Sequence, residues 1–129
     1  MQLSKLFSIL MLVAVVFISG CRTAPIYNVD DSVIPASDKI TEKSVKDAII
    51  KAGFSLGWIM DADKPGHIIG TLNLRKHVAV VDVKYSTKSY SITYKDSTEL
   101  SYDGTNIHNN YNSWVQNLDK RIKLHLSVL

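Results

Sequence analysis

Five consecutive residues near the C-terminus could bind a small ligand. They bring together an imidazole, a phenol and three carboxamides: His108, Asn109, Asn110, Tyr111 and Asn112. We place them at the start of a helix, where unpaired backbone N–H groups and the positive end of the helix dipole favour an anion or a sugar hydroxyl. This run is our candidate ligand- or partner-binding site.

The alternative for this run is structural. In that case Asn106 or a neighbour caps the helix, and His108 bonds a nearby carbonyl. Tyr111 and Trp114 would then belong to the core.

Other kinds of chemistry lack a complete set of residues. The four histidines form no close pair and no His-x-x-x-His spacing: His67, His77, His108 and His125. We therefore predict no metal site and no cofactor. Asp61 and Asp63, followed by Gly66, match part of a calcium loop, but the third acidic position and the distal glutamate are missing. We assign no catalytic residue.

Several cations fall on predicted strands and turns: Arg75, Lys76, Lys84, Lys88 and Lys95. They could meet acidic lipid, a glycan or a protein. The alternative is that they are solvated charges that protect strand edges.

The single cysteine, Cys21, ends an apolar leader. The stretch from Leu6 to Ile18 is uncharged and follows one cation, Lys5, which is the layout of a secretory signal. As a helix this stretch would span about 20 Å, too short for a hydrocarbon core of about 30 Å.

The residues Ile18-Ser19-Gly20-Cys21 resemble the lipobox of bacterial lipoproteins. The resemblance implies that residues 1–20 are a cleaved signal peptide and that the Cys21 thiol carries diacylglycerol, so that the protein is held in a membrane by its acyl chains. The alternative is a buried or free thiol in an unprocessed chain. In Gram-negative lipoproteins an aspartate directly after the acylated cysteine favours retention in the inner membrane. Arg22 occupies that position here, so the resemblance implies the outer membrane, facing the periplasm, in a Gram-negative cell. In a Gram-positive cell the same signal implies the outer face of the plasma membrane.

The composition indicates one ordinary globular domain. The chain has 129 residues, of which 46% are hydrophobic and 21% charged. A net charge of +3 is too small for the broad positive field that nucleic acid requires, so we predict no nucleic-acid partner.

Residues 41–129 carry the periodicities of an α+β domain, whereas residues 21–40 have the composition of a lipidated tether. Thr41 is a good N-cap, and apolar residues follow at helical spacing up to Gly53. Alternation then predicts four strands, at 54–60, 67–75, 77–85 and 89–95, and Ile107 to Leu126 again show helical spacing.

Short links between the strands favour hairpins. The predicted fold is therefore a helix, a four-stranded antiparallel meander and a second helix, with both helices packed on one face of the sheet. We expect the other face to be open.

A second resemblance covers most of the exported chain. Its sharpest part is His-x-x-Tyr-Asn-x-Trp-x-x-x-Leu, from His108 to Leu118, and it includes Tyr90 to Tyr94. These residues are similar to a group of small bacterial lipoproteins of uncharacterised function. The resemblance implies export and architecture but no catalytic residue.

These observations predict a non-enzymatic accessory that binds an envelope protein or a cell-wall or lipid component, through the open sheet face and residues 108–112. The alternative is a small hydrolase of envelope polymers that works from the His108 region. A third possibility is a purely structural lipoprotein.

Overall fold

The computed structural model describes residues 22–129, so the leader 1–20 and Cys21 lie outside the described residues. Signal cleavage and acylation of Cys21 stay predictions. The elements follow in this order: β1 (Thr23–Pro25), β2 (Val29–Val33), α1 (Glu42–Ser55), β3 (Ile59–Lys64), β4 (His67–Leu74), β5 (His77–Tyr85), β6 (Ser89–Thr98), β7 (Asn106–His108) and α2 (Asn109–Ser127).

Helix α1 begins as the sequence predicts. The Thr41 side chain accepts a hydrogen bond from the Ser44 N–H, and the Ser44 side chain accepts one from the Thr41 N–H, which forms a capping box. The helix continues two residues past the predicted stop at Gly53, and Gly57, at φ +87°, turns the chain towards β3.

The main sheet has five antiparallel strands in the order β2-β6-β5-β4-β3. Alternate residues of the central strand β5 are buried: Ala79, Val81, Val83 and Tyr85. Val81 pairs with Gly70 on one side and with Tyr94 on the other, after a bulge in the β5–β6 register. A second sheet has two strands, β1 and β7, which pair Ala24 with Ile107.

The predicted order of helix, four-stranded meander and helix, with both helices on one face, is wrong. The prediction omitted β1 and β2, which lie in the segment assigned to the tether, and placed Ile107 in the last helix although it is the central residue of β7. Only Val29 of β2 is buried, because β2 is an edge strand. An edge strand with one buried residue shows no alternating pattern, so composition alone suggested a coil.

The third strand was also placed too early. The predicted strand at 54–60 contains the end of α1, and most of β3 lies beyond it, between the first two predicted strands. Asp61 to Lys64 are exposed, so they carry no apolar signal although they extend the edge strand β3.

Side chains from both helices, from β4–β6 and from the flanking strands β2 and β7 form one apolar cluster. A buried carboxylate, Asp119, lies beside this cluster and accepts two hydrogen bonds. The Tyr90 hydroxyl donates to Asp119 Oδ1 at 2.5 Å, and Lys123 Nζ donates to Asp119 Oδ2 at 3.0 Å. Burial, together with this carboxylate, raises the pKa of Tyr90. Within residues 22–129, neither helix has the length and apolar character that a membrane crossing requires.

Candidate functional site

The five candidate residues lie where β7 passes into α2. His108 ends β7, pairs with Thr23 of β1 and is the N-cap of α2, with its Nδ1 atom accepting from the Asn110 N–H at 3.1 Å. Its own N–H donates to the Leu100 carbonyl at 2.9 Å. One ring nitrogen of His108 therefore satisfies a backbone donor of the first helical turn, which is the capping alternative with His108 itself as the cap.

Tyr111 is a core residue. Its side chain is fully buried, and its ring lies 5.7 Å from that of Tyr94 in an edge-on arrangement. No group in the described part of the chain is a hydrogen-bond partner of its hydroxyl. Burial raises the pKa of Tyr111, because the phenolate would be desolvated.

Asn112 clamps the N-terminal segment. Its Oδ1 accepts from the Tyr27 N–H at 2.9 Å, and its Nδ2 donates to the Pro25 carbonyl at 3.0 Å. Asn109 and Asn110 are exposed on the first turn of α2. Three of the five candidate residues thus join β1 to the domain, cap α2 or fill the core.

His77 is a neighbour of this junction that the sequence did not assign to it. Its ring lies 6.4 Å from the rings of both His108 and Trp114, and its Nδ1 donates to the Glu99 carbonyl at 2.7 Å. His77 and His108 are 31 positions apart in the chain, and they meet because His77 bonds the Glu99 carbonyl while His108 bonds the adjacent Leu100 carbonyl.

A second polar cluster surrounds His67 at the other end of the sheet. One ring nitrogen lies 2.7 Å from Asp63 Oδ1, and the other lies 2.7 Å from Asp82 Oδ1. Lys95 Nζ lies 3.7 Å from the same Asp82 oxygen. The His67 ring therefore links the Asp63 carboxylate of β3 to the Asp82 carboxylate of β5. Within residues 22–129, no group of three or more His, Cys, Asp or Glu side chains has an arrangement that could hold a metal ion.

From the sequence we expected no Gly-x-Ser-x-Gly elbow, but residues 53–57 read Gly-Phe-Ser-Leu-Gly and match that pattern of hydrolase nucleophiles. In that motif the serine lies on a turn from a strand into a helix. Here Ser55 ends α1 and the chain goes on to a strand. The Ser55 hydroxyl donates to the Ala52 carbonyl at 2.7 Å and accepts from Arg121 at 3.0 Å. The match is therefore not a nucleophile elbow.

Two large, exposed apolar side chains, Phe54 and Ile59, line a cavity between α1 and β3. This cavity, which we call the α1–β3 groove, has a volume of about 380 Å³. It is lined by Ile50, Phe54, Gly57, Trp58, Ile59 and Met60. Phe54 is 79% exposed and Ile59 63% exposed, whereas Trp58 is buried at the base. Met60 packs so closely on Gly53 that a Cβ there would collide with it.

A larger cavity of about 500 Å³ lies between the start of α1 and the β3–β4 turn. Its lining includes charged side chains of both signs, among them Glu42, Lys46 and Lys64. None of the five candidate residues lines this cavity or the α1–β3 groove.

No protein-family model, no curated protein and no solved structure matches this chain. The resemblance to small bacterial lipoproteins stays a prediction, as do the acylation of Cys21 and the envelope location.

Proposed function

We propose that this protein is a membrane-anchored envelope lipoprotein that acts as a non-enzymatic accessory and binds another envelope protein through the α1–β3 groove. The anchor part of this proposal rests on the lipobox-like residues that end at Cys21. The binding part rests on one observation, the exposure of Phe54 and Ile59 beside an apolar cavity.

Exposed large apolar side chains around a cavity are typical of protein interaction sites. A partner that covers Phe54 would remove a large aromatic side chain from water, and buried aromatic anchors of this kind dominate binding energies. Phe54 and Ile59 are the exposed residues of the groove and Trp58 is a buried one, so a partner side chain could enter between Phe54 and Ile59 and contact Trp58.

Strand β3 adds backbone groups to the same surface. Among the described strands β3 pairs with β4 alone, so its outer edge faces away from the sheet. Asp61, Asp63 and Lys64 place charges along its second half, while Ile59 and Met60 leave the first half uncharged. An extended partner segment could therefore pair with Ile59 and Met60 and insert an apolar side chain into the groove.

The lining favours a protein over a glycan. The side chains around the groove are apolar, with the indole of Trp58 as their only polar group. Sugars need several hydrogen-bond donors and acceptors in addition to an aromatic surface, because their hydroxyl groups must stay satisfied when they leave water.

Three of the five residues first considered for binding have structural contacts. His108 caps α2, Tyr111 fills the core and Asn112 holds the N-terminal segment. No observation at His108 favours the alternative of an envelope hydrolase.

Photo-crosslinking in the cell envelope tests the proposal. A photoreactive amino acid replaces Phe54 or Ile59 in the full chain. Val33 is the matched control, because it is also apolar and 79% exposed but lies on β2, the opposite edge strand. We expect one discrete protein adduct from positions 54 and 59 and none from position 33.

The captured protein is then purified and titrated against wild type and Phe54→Ser. We expect the substitution to weaken binding at least about tenfold, as loss of a central aromatic anchor does. Identical adducts from all three positions, or retention of the protein on cell-wall glycan with no protein adduct, would contradict the proposal.

A further inference from the structure

The N-terminal segment of the described chain is hydrogen-bonded to the domain from Thr23 onward. β1 pairs with β7 from Thr23 onward, the Ile26 N–H donates to the Thr105 carbonyl at 3.0 Å, and Asn112 binds the backbone on both sides of Ile26. β2 then joins the main sheet through β6. A spacer between an anchor on Cys21 and the domain would therefore be limited to the residues before Thr23.

Covalent geometry limits how far Cys21 can stand from the domain. Two peptide units join Cys21 to Thr23, and they reach at most about 7 Å. The headgroup region on each side of a bilayer is about 5–8 Å thick, given a core of about 30 Å within a total of about 40–45 Å. A lipid on Cys21 therefore places Thr23 at the level of the headgroups.

Three other segments meet Thr23 at the same end of the molecule. Thr23 pairs with His108, whose ring lies beside that of His77, the first residue of β5. The β4–β5 turn, Arg75 and Lys76, directly precedes His77. The loop between β6 and β7 is held to this end because His77 bonds the carbonyl of Glu99 and His108 bonds the carbonyl of Leu100.

We call this surface the anchor end. Its exposed cations and large apolar or aromatic side chains are Arg22, Leu74, Arg75, Lys76 and Tyr102. Leu74 is 47% exposed, and Tyr102 is 40% exposed with its ring stacked 4.1 Å from that of Tyr94.

The residue types of the anchor end suit a lipid surface. Tyrosine is enriched at membrane–water interfaces, because its ring is apolar and its hydroxyl is polar. The cations Arg22, Arg75 and Lys76 can meet lipid phosphates, and an exposed leucine can enter the acyl boundary. Nearby acids are Glu99 and Asp103, and the Asp103 carboxylate accepts the N–H groups of Thr105 and Asn106.

We propose that the anchor end lies against the lipid headgroups, an inference that rests on the proposed acylation of Cys21. The domain is then oriented, not freely tethered. The strands run away from the membrane, and the β5–β6 turn with Lys88 lies about 27 Å farther out, because β5 has nine residues.

Site-directed fluorescence quenching tests this orientation in the acylated mature protein. Because the lipid occupies the Cys21 thiol, an introduced cysteine is the only free thiol, Cys21 being the sole natural one. The two labelled variants are Lys76→Cys at the anchor end and Lys88→Cys as its match, since both lysines are exposed and lie in hairpin turns. The labelled proteins are inserted in phosphatidylglycerol-containing vesicles whose acyl chains carry nitroxides.

We expect loss of the label fluorescence at position 76 and no loss at position 88. If Lys76→Cys fails to fold by circular dichroism, a label on Tyr102→Cys reports on the same end. Equal quenching at both positions overturns the orientation. Shielding of position 76 from lipid nitroxide and from aqueous iodide alike also overturns it, because a protein then covers the anchor end.

Mass spectrometry of the same preparation separates the two proposals. Diacylglyceryl on Cys21 with equal quenching rejects only the orientation. An unmodified Cys21 rejects the anchor, and the orientation with it, while binding at the α1–β3 groove is still decided by the crosslinks from Phe54.

Discussion

The β7–α2 junction and the α1–β3 groove both differ from what their residue types suggest about binding. The junction holds an imidazole, a phenol and three carboxamides, yet His108 and Asn112 bond backbone groups and Tyr111 is buried. The groove holds aliphatic and aromatic residues of the kind that usually fill a core, yet Phe54 and Ile59 face solvent. His108, Tyr111 and Asn112 have structural roles in the first region, whereas Phe54 and Ile59 are available for contact in the second.

The difference shows that residue type marks a functional surface only when the contacts of that residue are known. The Asn112 carboxamide already binds two backbone groups, so its orientation is fixed by the N-terminal segment and only one N–H and one lone pair are left for a ligand. An exposed phenylalanine has its whole ring available for a partner. The predictions below test this contrast, from the largest expected effect to the smallest.

Truncation of a large side chain should affect the two regions very differently. We expect Tyr111→Ala to lower the free energy of unfolding by about 3–5 kcal/mol, because it leaves a cavity in the core. Phe54→Ala should change it by less than about 0.5 kcal/mol, because the ring is mostly in water. Urea unfolding followed by circular dichroism measures both. Similar losses for the two variants would remove the contrast.

Asn112 should stabilise the domain by holding its N-terminal segment. Asn112→Ala leaves the Tyr27 N–H and the Pro25 carbonyl without this partner, so we expect a loss of about 1–3 kcal/mol. Faster amide exchange at Tyr27 should accompany it. The control is Asn117→Ala, an exposed carboxamide on the same helix. Unchanged exchange at Tyr27 in Asn112→Ala would show that the clamp is not needed.

The hydroxyl of Tyr111 should be a cost to stability at neutral pH. Within the described chain it is buried without a hydrogen-bond partner, so Tyr111→Phe should raise the free energy of unfolding by about 1 kcal/mol. Denaturant midpoints of the two proteins measure this. A drop in stability would indicate that the hydroxyl has a partner in solution.

The same substitution should change the alkaline limb of the stability curve. Burial raises the pKa of Tyr111 above its ordinary value of 10.0, so the neutral phenol is favoured in the folded state. The contribution of Tyr111 to the free energy of unfolding is fully present below pH 10, where the phenol is neutral in both the folded and the unfolded state. It falls above pH 10, since the unfolded chain then ionises first. Tyr111→Phe should therefore lose stability less steeply than wild type above pH 10 in a pH series of urea unfolding curves.

Acid should loosen the loop that carries Tyr102, with the smallest effect of the series. The N–H groups of Asn106 and Thr105 lower the pKa of Asp103 below its ordinary value of 3.8. The carboxylate therefore stabilises the loop above pH 3.8, and this contribution is lost as the pH falls through the lower folded-state pKa. Amide chemical shifts of Thr105 and Asn106 between pH 5 and pH 2 should report the change, and Asp103→Asn should abolish it.

The sequence predicted those elements whose burial repeats with a clear period. Thr41 and the apolar stripe from Val45 to Ala52 located α1, and the alternation of β4 and β5 located the central strands. It failed for β2 and for Asp61 to Lys64 of β3, because edge strands have few buried residues and leave no period to detect. At the candidate site it gave the residues of the junction and both alternatives for them, but not Phe54 or Ile59, which look like core residues in a sequence.

By itself the sequence determined local features: the start of α1, the period of the central strands and the lipobox-like residues that suggest an anchor at Cys21. Tertiary structure alone decided that β1 and β2 join the sheets, that His77 lies beside His108, and that Phe54 remains exposed. These outcomes depend on which segments compete for the same surface, because burial and hydrogen bonding are satisfied between residues far apart in the chain. The spacing of residue types along one strand or helix does not show which distant segment will pack against it.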